Sequence, residues 1–465
     1  MKKSQLMTDQ ATPTIPKRPT DYYIIIPRLP EAWRYCETAP FKCGFSQTII
    51  VRHLPDCVNR PHLGWSCIMP PTISRIVQAL EPSATMAMAA KARELKASGK
   101  TVYDLSLGEP DFDTPVHICQ AASQAMADGH THYTVASGIP ALKQAVVDQY
   151  KAAHGLEYSP QQVVVTNGAK HALHNAFTVT LDPGDEVILP APYWVSYAEL
   201  IKLTGAIPVI VQTAEENDFK LTPEALTEAV TDKTKMLLLC SPSNPTGSMY
   251  SPEELGQLAD VAIQRDLLVV ADEIYERMVY AGHKFASFAT LRPELPDRTI
   301  IINGVSKTYA MTGWRIGWSM SPANVAKAMG SLQSQQTSNP CSISQYASIA
   351  ALTGPQQCVD EMLAEFAKRR EFITRRVEEI PGLSCPEMGG AFYAFINIKQ
   401  HLGRKYGGVR VDNSTDWCLE LLARKNVAMV MGSAFGTEGY ARASFATSME
   451  NLAAAMKRIE EFVAE

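Results

Sequence analysis

The sequence predicts an α/β protein: a large domain built on a mostly parallel sheet covered by helices, followed by a smaller α/β domain. Two observations lead there. From residue 73 onward, short and mainly apolar runs alternate with longer helical patterns, as expected of a sheet buried on both faces. A chain of 465 residues also exceeds what one hydrophobic core usually holds. The predicted organisation is an N-terminal extension over 1–70 and a segment over 71–114 contributing to the small domain. The large domain covers 115–350 and the small C-terminal domain 351–465.

The extension differs in character. It carries closely spaced prolines, among them Pro13, Pro16 and Pro19, and the cysteines Cys36, Cys43, Cys57 and Cys67. It lacks helical periodicity and reads as partly disordered or draped on the main body, with short strands at 22–26 and 48–51. Beyond it, a helix rich in Ala, Met and Lys is predicted over 85–95. A strand over 102–107 then leads into Gly108-Glu109-Pro110-Asp111. Helices are predicted over 139–154, 169–179, 197–203 and 252–265. Strands are predicted at 163–166, 186–189, 207–211, 236–240, 267–271, 299–303 and 316–320. A charged helix running from about 355 to 379 opens the small domain. A strand at 391–396, a helix at 416–424, strands at 427–431 and 440–445 and a last helix at 450–463 complete it.

Composition narrows the function. A net charge of -5 argues against non-specific nucleic-acid binding. No apolar run is long enough for a membrane span. MKKSQLMTDQ has two lysines but no apolar stretch behind them, so it does not read as a secretory signal. Ten scattered cysteines without a Cys-x-x-Cys suit a reducing compartment, here the cytoplasm. No metal site is expected. His130 and His132 flank a turn and read as surface or site-edge residues.

In a parallel sheet the ligand site lies at the carboxyl ends of the strands. Four chemically distinct residue sets fall at such ends. Lys307 follows 299–303 in Asn303-Gly304-Val305-Ser306-Lys307, with Arg315 eight positions on. Such an amine can hold an aldehyde cofactor, pyridoxal phosphate, as an imine and later move a proton. Ser306 and the fork of Arg315 suit its phosphate. The helix opened by Gly168 and Ala169 adds N–H donors and a favourable dipole. Lys170 is an unfavourable cation at that helix start unless an anion sits beside it. Asp272, after 267–271, can keep the ring nitrogen protonated, and serves equally well as a helix cap. Tyr275 lies about one turn further and can reach the ring's phenolic oxygen. So can Asn244 of Ser241-Pro242-Ser243-Asn244-Pro245-Thr246-Gly247, which suits a plain turn too. Trp194 is the candidate to stack on the ring, with a core role equally open.

Together these stretches resemble the class I, fold-type I pyridoxal-phosphate aminotransferases, and within them the bacterial-type subgroup Ib aspartate aminotransferases. Glu81-Pro82-Ser83-Ala84-Thr85, the run Gly108 to Pro115, Pro192-Tyr193-Trp194-Val195-Ser196-Tyr197, Asp272-Glu273-Ile274-Tyr275 and Ser306 through Gly317 carry the resemblance, from about residue 73 to the C-terminus. It implies that Lys307 carries the cofactor and is the acid–base group. Tyr133 would reach the phosphate of a neighbouring subunit, so the protein would be a homodimer with shared sites. Arg442, locally just an arginine on a short strand, would clamp the substrate α-carboxylate with Asn244 and the Gly108 backbone, beside Trp194. Lys170 would meet the distal carboxylate of aspartate or glutamate. Two positions depart from the pattern. Gly304 stands where the animal and enteric subgroup has a serine, implying one fewer hydroxyl on the phosphate. Glu81 replaces a basic residue often found there, and would repel an acidic substrate if it faces the pocket. The implied reaction moves the amino group of aspartate to 2-oxoglutarate. An aromatic or broad-specificity aminotransferase and a carbon–sulfur lyase are the alternatives, and prephenate use is in doubt.

Overall fold

The computed structural model describes residues 73–280 and 282–465; the extension and its two expected strands lie outside them. A pair of residues, β1 (Tyr103–Asp104), precedes a seven-stranded sheet. Its strands are β2 (Val163–Thr166), β3 (Glu186–Ala191), β4 (Ile207–Gln212), β5 (Thr234–Cys240), β6 (Leu268–Asp272), β7 (Thr299–Gly304) and β8 (Gly317–Met320). Then come β9 (Tyr393–Asn397), a hairpin of β10 (Arg404–Tyr406) and β11 (Val409–Val411), β12 (Val427–Ala428), β13 (Val430–Met431) and β14 (Tyr440–Ser444).

The large sheet runs β2-β8-β7-β6-β5-β3-β4. All neighbours are parallel except β8, which is antiparallel to both β2 and β7. Alternation along the strands explains why both faces are covered. Val187, Leu189, Met236, Leu238 and Val270 pack into one core, with Leu173 and Phe177 of the helix Ala169–Thr180. Ile188, Leu237, Leu239, Val269 and Ala271 pack into another, with Leu255, Leu258 and Ala262 of the helix Pro252–Gln264. That second helix starts where its sequence says it should. Pro252 occupies its first turn, and Ser251 and Glu254 form a reciprocal capping box.

A third core, around Leu142, Val146 and Ala347, packs on β2 and β8, and a fourth is built on the three-stranded antiparallel sheet β13-β14-β9. It buries Phe392, Phe395, Trp417, Phe435, Ile459 and Phe462.

Most predicted elements appear within a residue or two at each end, and the exceptions have local causes. The expected strand 102–107 shrinks to β1, because Asp104 turns back to accept bonds from the Ser106 amide and hydroxyl at 3.1 and 2.6 Å. The run 427–431 splits, β12 pairing in parallel with β1 and β13 antiparallel with β14. Asp272 is the last residue of β6 rather than the one after it. The helices Val116–Ala127, Ala323–Gln336 and Ser342–Thr353 were not predicted. Their polar and small residues blur the apolar period, and packing against other helices defines them.

Candidate active site

Parallel register sets Cys240, Asp272 and Ile302 side by side across β5, β6 and β7. The loops leaving that edge meet a cavity of about 290 Å³. Its wall includes Lys307, Asp272, Tyr275, Asn244, Trp194 and Arg442. Ala169, Lys170, Ser306, Arg315 and Gly108 also line it.

Lys307 follows β7. Its Nζ donates to the Gly108 carbonyl at 2.5 Å. Burial lowers its pKa from 10.5 to about 8, Glu109 and Asp272 opposing and Arg315 and Arg442 assisting. An amine in that range is available as a nucleophile and base near neutral pH. Asp272 is buried, and burial raises its pKa to about 6. The Tyr197 hydroxyl donates to its Oδ2 at 2.6 Å and the Ile274 amide to its Oδ1 at 3.3 Å, both favouring the carboxylate.

The loop between β7 and β8 doubles back so that Gly304 faces Gly317 and Gly317 meets the start of the helix Ala169–Thr180. A Cβ on Gly317 would lie 2.4 Å from the Ala169 nitrogen. Gly168 caps the helix with φ +82°, and a Cβ there would lie 2.3 Å from Arg315 Nη2. Arg315 and Lys170 thus gather at one helix N-terminus, and desolvation and Arg315 both lower the Lys170 pKa. Two cations and free backbone donors make a cradle for an anion. A Cβ on Gly304 would lie 2.8 Å from both Gly317 Cα and the Ile316 oxygen, so the departure at this position goes beyond one lost hydroxyl: the paired strands β7 and β8 leave no room for a serine there.

Arg442 comes from β14, far away in sequence. It is 1% exposed. It donates to Asn244 Oδ1 at 3.0 Å and to the Ser106 carbonyl at 2.6 Å. Its backbone contact is therefore Ser106, while the Gly108 carbonyl faces Lys307. Its Nε is buried without a partner, a donor left for a ligand. The guanidinium lies over Tyr393, 4.6 Å from the ring centroid. Tyr275 does not stand alone either: its hydroxyl is 2.9 Å from that of Tyr393. Lys170 Nζ lies 4.9 Å from the Trp194 ring centroid.

Two candidates lie elsewhere. Tyr133 is 90% exposed and outside the cavity wall. Glu81 lines a separate cavity of about 520 Å³ with Tyr193, Glu199 and Lys202, and its amide donates to Glu199. The condition for repelling an acidic substrate is not met. The sequence reading missed Tyr393, Tyr197, Ser106 and the Glu109–Thr312 pair. Only Tyr197 had a signal, one helical turn beyond Trp194.

A buried amine of lowered pKa, a buried carboxylate and a cradle for an anion surround one cavity. The family model described as "Aminotransferase class I and II" matches residues 100–459. The chain belongs to this family. Among its relatives, an aspartate aminotransferase of Geobacillus stearothermophilus is 48% identical, over 84% of this chain and 98% of the relative. An aspartate/prephenate aminotransferase of Nitrosomonas europaea is 46% identical, over 83% and 98%. Among solved structures, the aspartate aminotransferase of Rhizobium meliloti superposes with a TM-score of 0.82 at 41% identity, covering 85% of this chain and 99% of that one. That of Thermus thermophilus with maleate gives 0.80 at 39%, covering 84% and 100%.

Proposed function

We propose that this aminotransferase moves the amino group of L-aspartate to 2-oxoglutarate, giving oxaloacetate and L-glutamate, in a cytoplasmic homodimer that uses pyridoxal phosphate. The observation that carries the reading is the convergence of Lys307, Asp272 and Arg442 on one cavity. When bound, the cofactor supplies a ring that takes up the charge left when the α-proton departs. Lys307 holds the cofactor between turnovers, then removes and returns that proton as a base of lowered pKa. Asp272 keeps the ring nitrogen protonated, and a cation beside this carboxylate in turn favours its charged form. Tyr275 and Asn244 would bond the ring's phenolic oxygen, and Trp194 would cover the ring. Lys170, Ser306, Arg315 and the amides after Gly168 hold the phosphate, with Tyr133 donated by a second subunit.

Arg442 binds the substrate α-carboxylate with Asn244, its unpartnered Nε among the available donors. Lys170 recognises the distal carboxylate, and the position of Glu81 in another cavity supports a dicarboxylate. The names of the relatives point the same way. The test is a coupled assay on cofactor-loaded protein, comparing aspartate with phenylalanine as donor to 2-oxoglutarate. A large preference for aspartate in kcat/KM is expected. Preference for phenylalanine makes it an aromatic or broad-specificity enzyme. Release of ammonia, pyruvate and a thiol from an S-substituted cysteine, without 2-oxoglutarate consumption, makes it a carbon–sulfur lyase.

A further inference from the structure

Arg369 lies outside the cavity wall, yet its surroundings are unusual for an arginine. It is 4% exposed, in the middle of the helix Gln357–Glu379. It donates to Asp111 Oδ1 at 2.6 Å and, at a longer 3.4 Å, to Glu365. Its guanidinium lies 5.1 Å from the ring centroid of Phe112 and 5.5 Å from that of Phe366. Those two rings meet edge to face at 5.4 Å. An arginine buried between two aromatic rings and paired with a carboxylate is held in one orientation.

Its position joins two bodies of the fold. The same helix begins in the core beneath β2 and β8, through Val359, and ends in the core around β9 and β14, through Phe366, Ile373 and Val377. Asp111 and Phe112 are separated by Pro110 alone from Leu107, Gly108 and Glu109, which form one wall of the cavity. Gly108 supplies the carbonyl that receives Lys307 Nζ, and Ser106 the carbonyl that receives Arg442. On its other side, Phe366 stacks on Phe392, whose ring centroid is 5.9 Å from Lys307 Nζ.

We propose that Arg369 is a positioning residue for substrate binding: its bond to Asp111 fixes the 106–112 loop, and with it the carbonyls that orient Arg442 and Lys307 for a dicarboxylate. The inference rests on the function proposed above. It separates from a merely structural role in one respect. A structural ion pair, once lost, lowers the yield of folded, loaded protein but leaves each loaded site unaltered. A positioning pair alters each loaded site, because a small misplacement of a binding wall weakens the substrate grip.

The test uses the cofactor-loaded enzyme with Arg369→Lys, Arg369→Gln, Asp111→Asn and the Arg369→Gln/Asp111→Asn double variant. Arg369→Lys keeps the charge and loses the planar fork, which guards against a glutamine variant that fails to fold. Two quantities are read per loaded site: KM against kcat for aspartate and 2-oxoglutarate, and the Kd for succinate from the absorbance of the bound cofactor. The expected result is a rise of about tenfold in KM and in the succinate Kd with kcat changed less than about threefold. The double variant should be no weaker than the worse single one, since both break the same bond. Unchanged KM and succinate Kd, or fully additive single effects, overturn the proposal. Wild-type protein that neither turns over aspartate nor binds succinate overturns the functional reading and this inference together. A working wild type with unaffected variants overturns this inference alone.

Discussion

The carboxyl edge of the seven-stranded sheet and the small sheet β13-β14-β9 both furnish the cavity, in different ways. The first brings Asn244, Asp272 and Lys307 from three neighbouring strands, each at or past a strand end. The second brings Arg442 and Tyr393 from within paired strands, at positions where nothing local marks them. Parallel strands always leave their loops at one edge, so residues there are placed by topology. A strand interior reaches a site only if its whole sheet is docked against it. On the function proposed above, the first set holds the cofactor and the second grips the substrate.

Substitutions can test that division. The largest effect should come from the sheet edge. Lys307→Ala should lower kcat by about 10⁴-fold at saturating substrate, and a loss under about a hundredfold would remove Lys307 from proton transfer. The same residue gives a pH signature. In protein stripped of cofactor, the reactive form of Lys307 is the neutral amine. Its rate of coupling to an aldehyde should rise with pH through a midpoint near 8 rather than near the ordinary 10.5. Next comes the small sheet: Arg442→Lys should raise KM for both the amino acid and the 2-oxo acid by about a hundredfold, as a charge-assisted bond and the fork are lost. Cofactor affinity should hardly change, and a parallel loss of cofactor would erase the contrast between the two regions.

Gly304→Ser should destabilise the fold by about 1–3 kcal/mol through the clash with Gly317, read as a lower Tm. Unchanged Tm would show that the strand pair can relax. The smallest effect is expected at Glu81→Gln. With its side chain in the neighbouring cavity, KM for aspartate should move by less than about threefold, the range of screened surface charges. A large fall in KM would bring Glu81 back into the pocket.

Legibility in the sequence follows the same division. Asp272 and Lys307 stood out because an apolar strand ended beside them. Gly168 and Lys170 stood out because a glycine opened an amphipathic helix. Arg442 came only from a family resemblance, since its own strand shows an ordinary run of small and aromatic residues. Its contact to the Ser106 carbonyl depends on the turn that Asp104 makes. Tyr393 gave no signal, because a buried tyrosine in an apolar strand reads as core until its hydroxyl finds Tyr275. The Arg369–Asp111 bond spans so much chain that neither residue predicts the other.

By itself, then, the sequence determined the alternation of strands and helices, the helix start at Pro252 and the amine at a strand end. These rest on interactions among residues a few positions apart, where periodicity and backbone chemistry suffice. Only the tertiary structure decided that Arg442 lines one cavity with Lys307 and Asp272, that Glu81 lines another, and that Gly304 has no room for a side chain. The first two depend on contacts between residues more than a hundred positions apart, and the third on the pairing of β7 with β8, none of which a local pattern encodes.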